Sequence, residues 1–358
     1  MGAAPALAHA RERIERDRCP VCQSRDSERL YRRRLGLTLR GLASGGDLEL
    51  VPHPVRQCRG CGLVYAESFR DPAALHNDEE YGFDRTGAGG ELRNSAHAQA
   101  ILKIISDATG GSRGRLLDIG TGRGDVLVEA ARHGWDAEGV EISADAARVA
   151  REHLGLKVTA GSLRAAKFPD ESFDVVTMLD VIEHVPDPIA DLQEVRRILK
   201  RGGLVVLETP NFAGLMSRMG GSYWPGYMLP HINLFTPANF SALVEQSGFV
   251  LGGCRTVGAE FFSSQVVDWL GIKQRLYEWL YRHRRGTVAR SLTKMLARAA
   301  ERSAAKSAAL MSYSETARHR RDVTPPESES QAWSLPDGLV DRFELGNQIV
   351  CWARTSHR

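Results

Sequence analysis

The sequence predicts an α/β protein, a mostly parallel sheet with helices on both faces. Three observations carry that prediction. The apolar run Leu116-Leu117-Asp118-Ile119 ends in a glycine turn, Gly120-Thr121-Gly122-Arg123-Gly124, and an amphipathic helix follows from Val126 to His133. A second strand, Ala137-Glu138-Gly139-Val140-Glu141, closes on a carboxylate about 20 residues beyond the turn. Downstream, strand-like and helix-like stretches keep alternating, as repeated βα units require.

The first unit also carries chemistry. Glycines let the turn close tightly and let backbone N–H groups approach a ligand at the helix N-terminus. The acid ending the second strand stands where a ribose diol would lie, so the unit points to a nucleoside-bearing cofactor. A dinucleotide is disfavoured, because Asp125 occupies the place of the third glycine that a pyrophosphate-binding turn needs. Asp118 puts a negative charge at the strand's end, which suits a ligand bearing an ammonium and a sulfonium.

The run Asp118-Ile119-Gly120-Thr121-Gly122-Arg123-Gly124 resembles motif I, E/D-x-G-x-G-x-G, of the class I S-adenosylmethionine (SAM) methyltransferases. That resemblance implies SAM as cofactor. It assigns Asp118, Gly120, Thr121 and Gly122 to the amino-acid part of SAM and Glu141 to its ribose, and Ile142 is also expected among the cofactor-binding residues. It also implies a Rossmann-like seven-stranded sheet whose last strand runs antiparallel.

Later elements follow in order. Lys157-Val158-Thr159 reads as the third strand, and Ser162-Leu163 beyond it is the expected adenine contact. The family often carries Asp near Ser162, so backbone around Leu163 is an alternative there. Phe168 to Met178 reads as a polar turn feeding a buried parallel strand. The chain continues through Leu179-Asp180-Val181-Ile182-Glu183-His184-Val185-Pro186-Asp187-Pro188 into a helix from Ile189 to Leu199. A turn, Lys200-Arg201-Gly202-Gly203, and a strand, Leu204 to Glu208, complete that unit, closed by Thr209-Pro210-Asn211-Phe212. The E-H-V-x-D-P and T-P-N phrases look like those of ubiquinone-type O-methyltransferases, and the resemblance covers roughly residues 95 to 260.

Methyl transfer is an in-line displacement, and a hydroxyl acceptor must also lose a proton. Asp180, Glu183 and His184 fall at the carboxyl edge of the sheet, where ligands bind in such folds. His184 is the first candidate for general base, with Glu183 beside it and Asp180 assigned to the cofactor pocket. In the alternative, Glu183-His184 only orients the following loop. The family resemblance also allows these acids and His to hold a divalent metal, with Asp180 where Glu is usual. His231 is the second candidate, in the aromatic, Gly- and Pro-containing stretch from Tyr223 to Thr236; it could equally close that loop by hydrogen bonds. Thr236-Pro237 reads as the start of a helix that runs to Gln246.

Ahead of this core, Cys19-x2-Cys22 and Cys58-x2-Cys61 have the spacing of two knuckles that share one tetrahedral Zn²⁺. Four thiolates leave no open position, so the zinc is expected to be structural. Two disulfides are the alternative, disfavoured in a cytoplasmic setting. Leu37 to Arg40 and Leu48 to Val51 read as short strands of a zinc ribbon. Some RNA methyltransferases carry such a module. The phrase Cys61-Gly62-Leu63-Val64-Tyr65, however, is similar to the ribbon ending that precedes methyltransferases of sugar and polysaccharide pathways. The N/D-P-P-Y/F stretch of base-methylating enzymes is replaced by Leu179-Asp180-Val181-Ile182.

At the other end, Phe249 to Val257 and Asn347 to Ala353 read as the last two strands of the sheet, with Cys254 and Cys351 on them as buried thiols without chemistry. The long interval between them is expected to hold an insertion with an apolar, Trp-bearing helix from Phe261 to Tyr281 and a basic stretch from Arg282 to Ala308. Such an insertion could cap the site, form a dimer interface, or touch an anionic membrane surface. The expected organisation is a flexible tail over 1–18, a zinc ribbon over 19–66, a linker or lid segment over 67–94 and the core over 95–260. A helical basic insertion with linker (261–330) and a C-terminal segment (331–358) complete it.

Of 358 residues, 42% are hydrophobic and 25% charged, an ordinary globular composition, and a net charge of +3 is too small to argue for nucleic acid by itself. No run has transmembrane length and the Arg-rich start lacks a signal-peptide core, so a cytoplasmic location is expected, with peripheral contact at the inner membrane face as an extension through the insertion. The function expected is methyl transfer from SAM to a small-molecule, sugar or lipid-linked glycan hydroxyl. An RNA methyltransferase and a non-catalytic SAM-binding module are the alternatives.

Overall fold

The structure is a computed structural model that describes residues 13–30, 37–40, 49–71, 75, 95–122, 124–221, 224–227, 230–257, 260–261, 333–334 and 346–356. Seven short strands occupy the N-terminal part: β1 (Arg13–Glu15), β2 (Ser27–Arg29), β3 (Leu37–Arg40), β4 (Glu49–Pro52), β5 (Val55–Cys58), β6 (Val64–Ala66) and β7 (Ser68–Arg70). β3 and β4 pair as an antiparallel hairpin, with β4 one residue later than expected. β1 pairs antiparallel with β7. Strand structure therefore reaches back to Arg13, inside the expected tail, and forward to Arg70, inside the expected linker.

The core begins with α1 (Ser95–Thr109), β8 (Arg115–Ile119), α2 (Asp125–Arg132), β9 (Asp136–Glu141), α3 (Ala144–Leu154), β10 (Val158–Ala160) and α4 (Leu163–Ala166). It continues with β11 (Phe173–Leu179), a 3₁₀ turn over Ile182–His184, α5 (Pro188–Ile198), β12 (Leu199–Pro210), α6 (Leu215–Gly220), β13 (Asn233–Leu234), α7 (Pro237–Gln246) and β14 (Phe249–Val257). β15 (Glu260–Phe261), β16 (Trp333–Ser334) and β17 (Gln348–Thr355) complete the strands.

Side-chain alternation builds the layers. Leu117, Val176 and Val205 point into one buried cluster, while their neighbours Leu116, Val175, Leu204 and Val206 point into another on the opposite face of the sheet. Helix ends are defined by their caps. Ser143 accepts from the Ala146 N–H, Asp187 from the Ala190 N–H, and Thr236 forms a capping box with Asn239 ahead of Pro237.

The seven-stranded sheet has the order β10-β9-β8-β11-β12-β17-β14, and β17 runs antiparallel to both of its neighbours. Within this sheet two local expectations are corrected. The expected turn at Lys200–Gly203 lies within β12 as an irregularity: Phe173 faces Leu199 but Val175 faces Leu204, with Gly202 at φ +70°. The cysteines expected as separate thiols sit directly opposite in register on adjacent strands, Cys254 against Cys351, and are joined as a disulfide.

A four-stranded sheet, β13-β6-β5-β2, joins the N-terminal module to the core. β13 pairs with β6 through Asn233 against Tyr65 and Leu234 against Val64. Cys19, Cys58, Leu63 and Tyr65 share a buried cluster with Phe235, Phe240 and Leu243. A second compact unit spans Glu260–Ser334. In it β15 pairs antiparallel with β16, so Phe261 lies in a strand where a helix was expected. The rest of the expected insertion lies outside the described residues, as do residues 76–94 and, in the Tyr223–Thr236 stretch, Tyr223, Met228 and Leu229. Among the described residues no helix is long and apolar enough to cross a membrane.

Candidate active site

The glycine turn closes where β8 meets α2. Gly120, Gly122 and Gly124 all have positive φ, and a Cβ on Gly120 would lie 2.4 Å from Val181 Cγ2. Any other residue at 120 would be strained at this φ and would have to displace the Val181 side chain just beyond β11. Space remains at the next glycine, where, its chain neighbours aside, no atom of the described residues lies within 4 Å of the place a Gly122 Cβ would take. The Gly122 N–H donates to Glu141 Oε2 at 2.8 Å, and the Ser143 N–H donates to Glu141 Oε1 at 2.7 Å. Both carboxylate oxygens are thus held by backbone, which fixes this buried acid beside the turn.

A cavity of about 560 Å³ opens at the carboxyl edge of the sheet. Of the sequence-predicted residues, Gly120, Gly122, Glu141, Ile142, Ser162, Leu163, Asp180 and His184 lie on its wall. Asp118, Thr121, Glu183 and His231 do not. Met178, Val181, Arg164, Asp187, Asp191 and Asp71 line it as well, none of them singled out in the sequence as a ligand-binding residue. Arg164 is paired with Asp191 at 2.7 Å, a contact between α4 and α5 that no local pattern reveals. Ser162 spends its hydroxyl as the cap of α4, accepting from the Ala165 N–H.

Asp118 is buried in the sheet and accepts a hydrogen bond from Thr177 Oγ1 at 2.6 Å. Burial pushes its carboxyl up to about 6. An acid whose pKa rises on folding contributes stability below its unfolded value near 3.8, and loses that contribution as pH rises through 6. Asp118→Asn is therefore expected to gain stability relative to the parent between pH 4 and 7, by at most about 3 kcal/mol. Thermal unfolding without cofactor checks this, and a stability difference that stays constant across that pH range contradicts it.

Asp180 leaves β11 at φ +51°, a left-handed conformation rare for a non-glycine residue. Gln348 Nε2 donates to its Oδ1 at 3.1 Å, and its N–H donates to the Glu208 carbonyl. The side chain opens to the cavity, yet the enclosing protein wall and then the Glu208 charge raise it to about 6. His97 of α1 lies 2.8 Å from Glu208 Oε2, and that hydrogen bond raises the imidazole pKa.

Glu183, His184 and His231 form one group. The His184 Nδ1–H donates to the Pro230 carbonyl at 2.9 Å, and the His231 Nδ1–H donates to the Gly226 carbonyl at 3.0 Å. Carbonyls only accept, so in each neutral ring Nε2 carries the lone pair. The two Nε2 atoms lie 3.8 and 4.0 Å from Glu183 Oε1, and the rings meet edge to face at 4.8 Å. Glu183 is 1% exposed; Thr209 Oγ1 donates to its Oε2 at 3.1 Å, whereas Oε1 has no hydrogen-bond partner among the described residues. Burial, then the Asp180 charge, raises its carboxyl well above the ordinary range.

In the N-terminal module Cys19, Cys22, Cys58 and Cys61 place their sulfurs within 4.8 Å of one another. The Cys19–Cys61 and Cys22–Cys58 sulfur separations are 3.5 and 3.4 Å. A tetrahedron of about 2.3 Å Zn–S bonds has edges of about 3.8 Å, so this donor set fits a zinc ion with little movement.

Residues 92–251 match the family described as Methyltransferase domain. The ubiquinone biosynthesis O-methyltransferase of Aeromonas salmonicida is 32% identical over 165 residues, which cover 42% of this chain and 69% of that protein. The protein of the same name from Methylococcus capsulatus is 32% identical over 186 residues, covering 47% of this chain and 77% of its own length. That of Cereibacter sphaeroides is 44% identical over 105 residues, 27% of this chain and 41% of that protein. Since two of these relatives are matched over more than two thirds of their own length, the chain belongs to the SAM-dependent methyltransferases of the ubiquinone O-methyltransferase-like type, with SAM as its cofactor.

Proposed function

We propose that this enzyme moves a methyl group from SAM to a hydroxyl of a small-molecule or glycan-linked acceptor. The observation that carries the reading is His184: it lies on the same cavity wall as the glycine turn and Glu141, its tautomer fixed so that Nε2 receives a proton. The relatives' name, O-methyltransferase, supports a hydroxyl acceptor.

The cavity suits SAM. The open face at Gly122 and the braced carboxylate of Glu141 serve the amino-acid and ribose ends, while Ile142, Ser162 and Leu163 supply the adenine side. Asp118 and Thr121 act from behind the turn, and the Asp180 carboxylate faces the cofactor's positive charge. When bound, SAM supplies an electrophilic methyl carbon. The protein aligns the acceptor oxygen with it, and His184 Nε2 takes the hydroxyl proton as the O–C bond forms and the methyl's bond to sulfur breaks, the sulfur leaving as a neutral thioether. Glu183 and His231 then stabilise the imidazolium. The four cysteines hold a structural zinc ion.

A second reading is favoured by Glu183 Oε1, which has no hydrogen-bond partner among the described residues: with His184 and His231 it offers three ligand atoms within 4.8 Å for a divalent cation. Dialysis against a chelator too weak to strip a four-cysteine zinc separates the two. Turnover is expected to persist if His184 acts alone, and to fall and return with an added transition-metal ion such as Mn²⁺ or Co²⁺ if a cation is needed.

The acceptor class is tested by transfer of labelled methyl from SAM into fractionated host extract. Label is expected in a nuclease-resistant small-molecule or glycan fraction. Label removed by ribonuclease would replace this reading with RNA methylation.

A further inference from the structure

The match to the methyltransferase family begins at residue 92, yet both candidate histidine segments are fastened by side chains that precede it. Arg16 lies between β1 and Cys19. Its Nη1 donates to the Ile232 carbonyl and to Asn233 Oδ1, each at 3.0 Å, and its Nη2 donates to the Pro186 carbonyl at 2.8 Å. Ile232 follows His231, and Pro186 follows His184 by two residues, so one planar cation spans both segments. The Phe69 ring covers the guanidinium at 4.5 Å.

Asn233 extends this clamp. Its Oδ1 accepts from Arg16 while its Nδ2 donates to the carbonyls of Ile182 at 3.3 Å and Val185 at 2.7 Å, on either side of Glu183 and His184. The Ile232 N–H donates to the Glu183 carbonyl at 2.8 Å. A second grip comes from His53, buried in the N-terminal module, whose Nε2–H donates to the His231 carbonyl at 3.2 Å. Burial lowers the His53 pKa to about 4, so it serves as a neutral donor.

We infer that Arg16 is a positioning residue for the proton-handling pair: it ties the His184 segment to the His231 segment at the separation where both Nε2 atoms converge on Glu183. The functional weight of this inference rests on the assignment of those histidines above. Lysine has a single ammonium and cannot reproduce the fork, so Arg16→Lys restores only part of the geometry.

The test compares Arg16→Ala, Arg16→Lys and, as a ribbon control, Arg56→Ala, whose parent side chain binds Ser27 and Glu67 within the N-terminal module. The readouts are the imidazole Cε1–H resonances of His184 and His231, SAM affinity and bound metal. Both resonances are expected to move in Arg16→Ala, to return partly in Arg16→Lys, and to stay in place in Arg56→Ala, while SAM affinity remains within about twofold and metal content is unchanged. Turnover on the labelled acceptor fraction should fall about 10- to 100-fold in Arg16→Ala. Resonances that superpose on the parent in folded, SAM-binding Arg16→Ala protein overturn the inference. Should Arg16→Ala fail to fold, Arg16→Lys alone decides by the same resonances. If His184→Ala and His231→Ala keep normal turnover, the histidine assignment fails instead, whatever Arg16 does.

Discussion

Replacing His184 by alanine is expected to lower turnover about 10²- to 10⁴-fold while SAM affinity changes by no more than about twofold. His184 lies on the cavity wall, so its loss removes the imidazole proposed above to take the acceptor proton. Its described contacts are with Pro230, Glu183 and His231 and do not include the braced Glu141 proposed above to hold the cofactor. His231→Ala should also reduce turnover, by less, because His231 acts through its contacts with His184 and Glu183. Single-turnover transfer together with titration of SAM binding separates the two quantities. Near-normal turnover in both variants would remove the histidines from the chemistry.

The second large effect is expected at Cys58. Its sulfur is buried in the cluster that contains Tyr65, Phe235 and Phe240, and its strand pairs with both β2 and β6. Cys58→Ser should lower bound zinc below one ion per chain and cost roughly 3–5 kcal/mol of stability. The loss should spread to the active site, because β6 in turn pairs with β13 beside His231. Metal analysis and thermal unfolding check the two parts. Full zinc content in the variant would refute the four-cysteine site.

Much of this was legible from sequence because it is local. The glycine turn and acid-ended strand announce themselves through spacing, and the structure brings Gly120, Gly122 and Glu141 to one cavity. Thr236-Pro237 opens a helix by capping chemistry that needs only four residues. The two CxxC pairs converge although thirty-odd residues separate them. Contacts set by packing were not legible. Nothing near Arg16 indicates that its partners are Pro186 and Asn233, and nothing near His97 indicates Glu208. The Cys254–Cys351 pair depends on the register of two strands 97 positions apart. Asp118 has the expected identity but faces Thr177, its register partner on β11, inside the sheet.

The position of β17 has a consequence for how the protein is made. This strand lies between β12 and β14, both synthesised well before it. At about 5–20 residues per second, a ribosome needs roughly 5–20 s to travel from Cys254 to Cys351. Throughout that interval β12, its residues destined for burial, presents an unpaired edge to other chains. Slow translation of this stretch would lengthen the exposure, and a chaperone that shields β12 until residues 348–355 emerge would raise the yield of native enzyme.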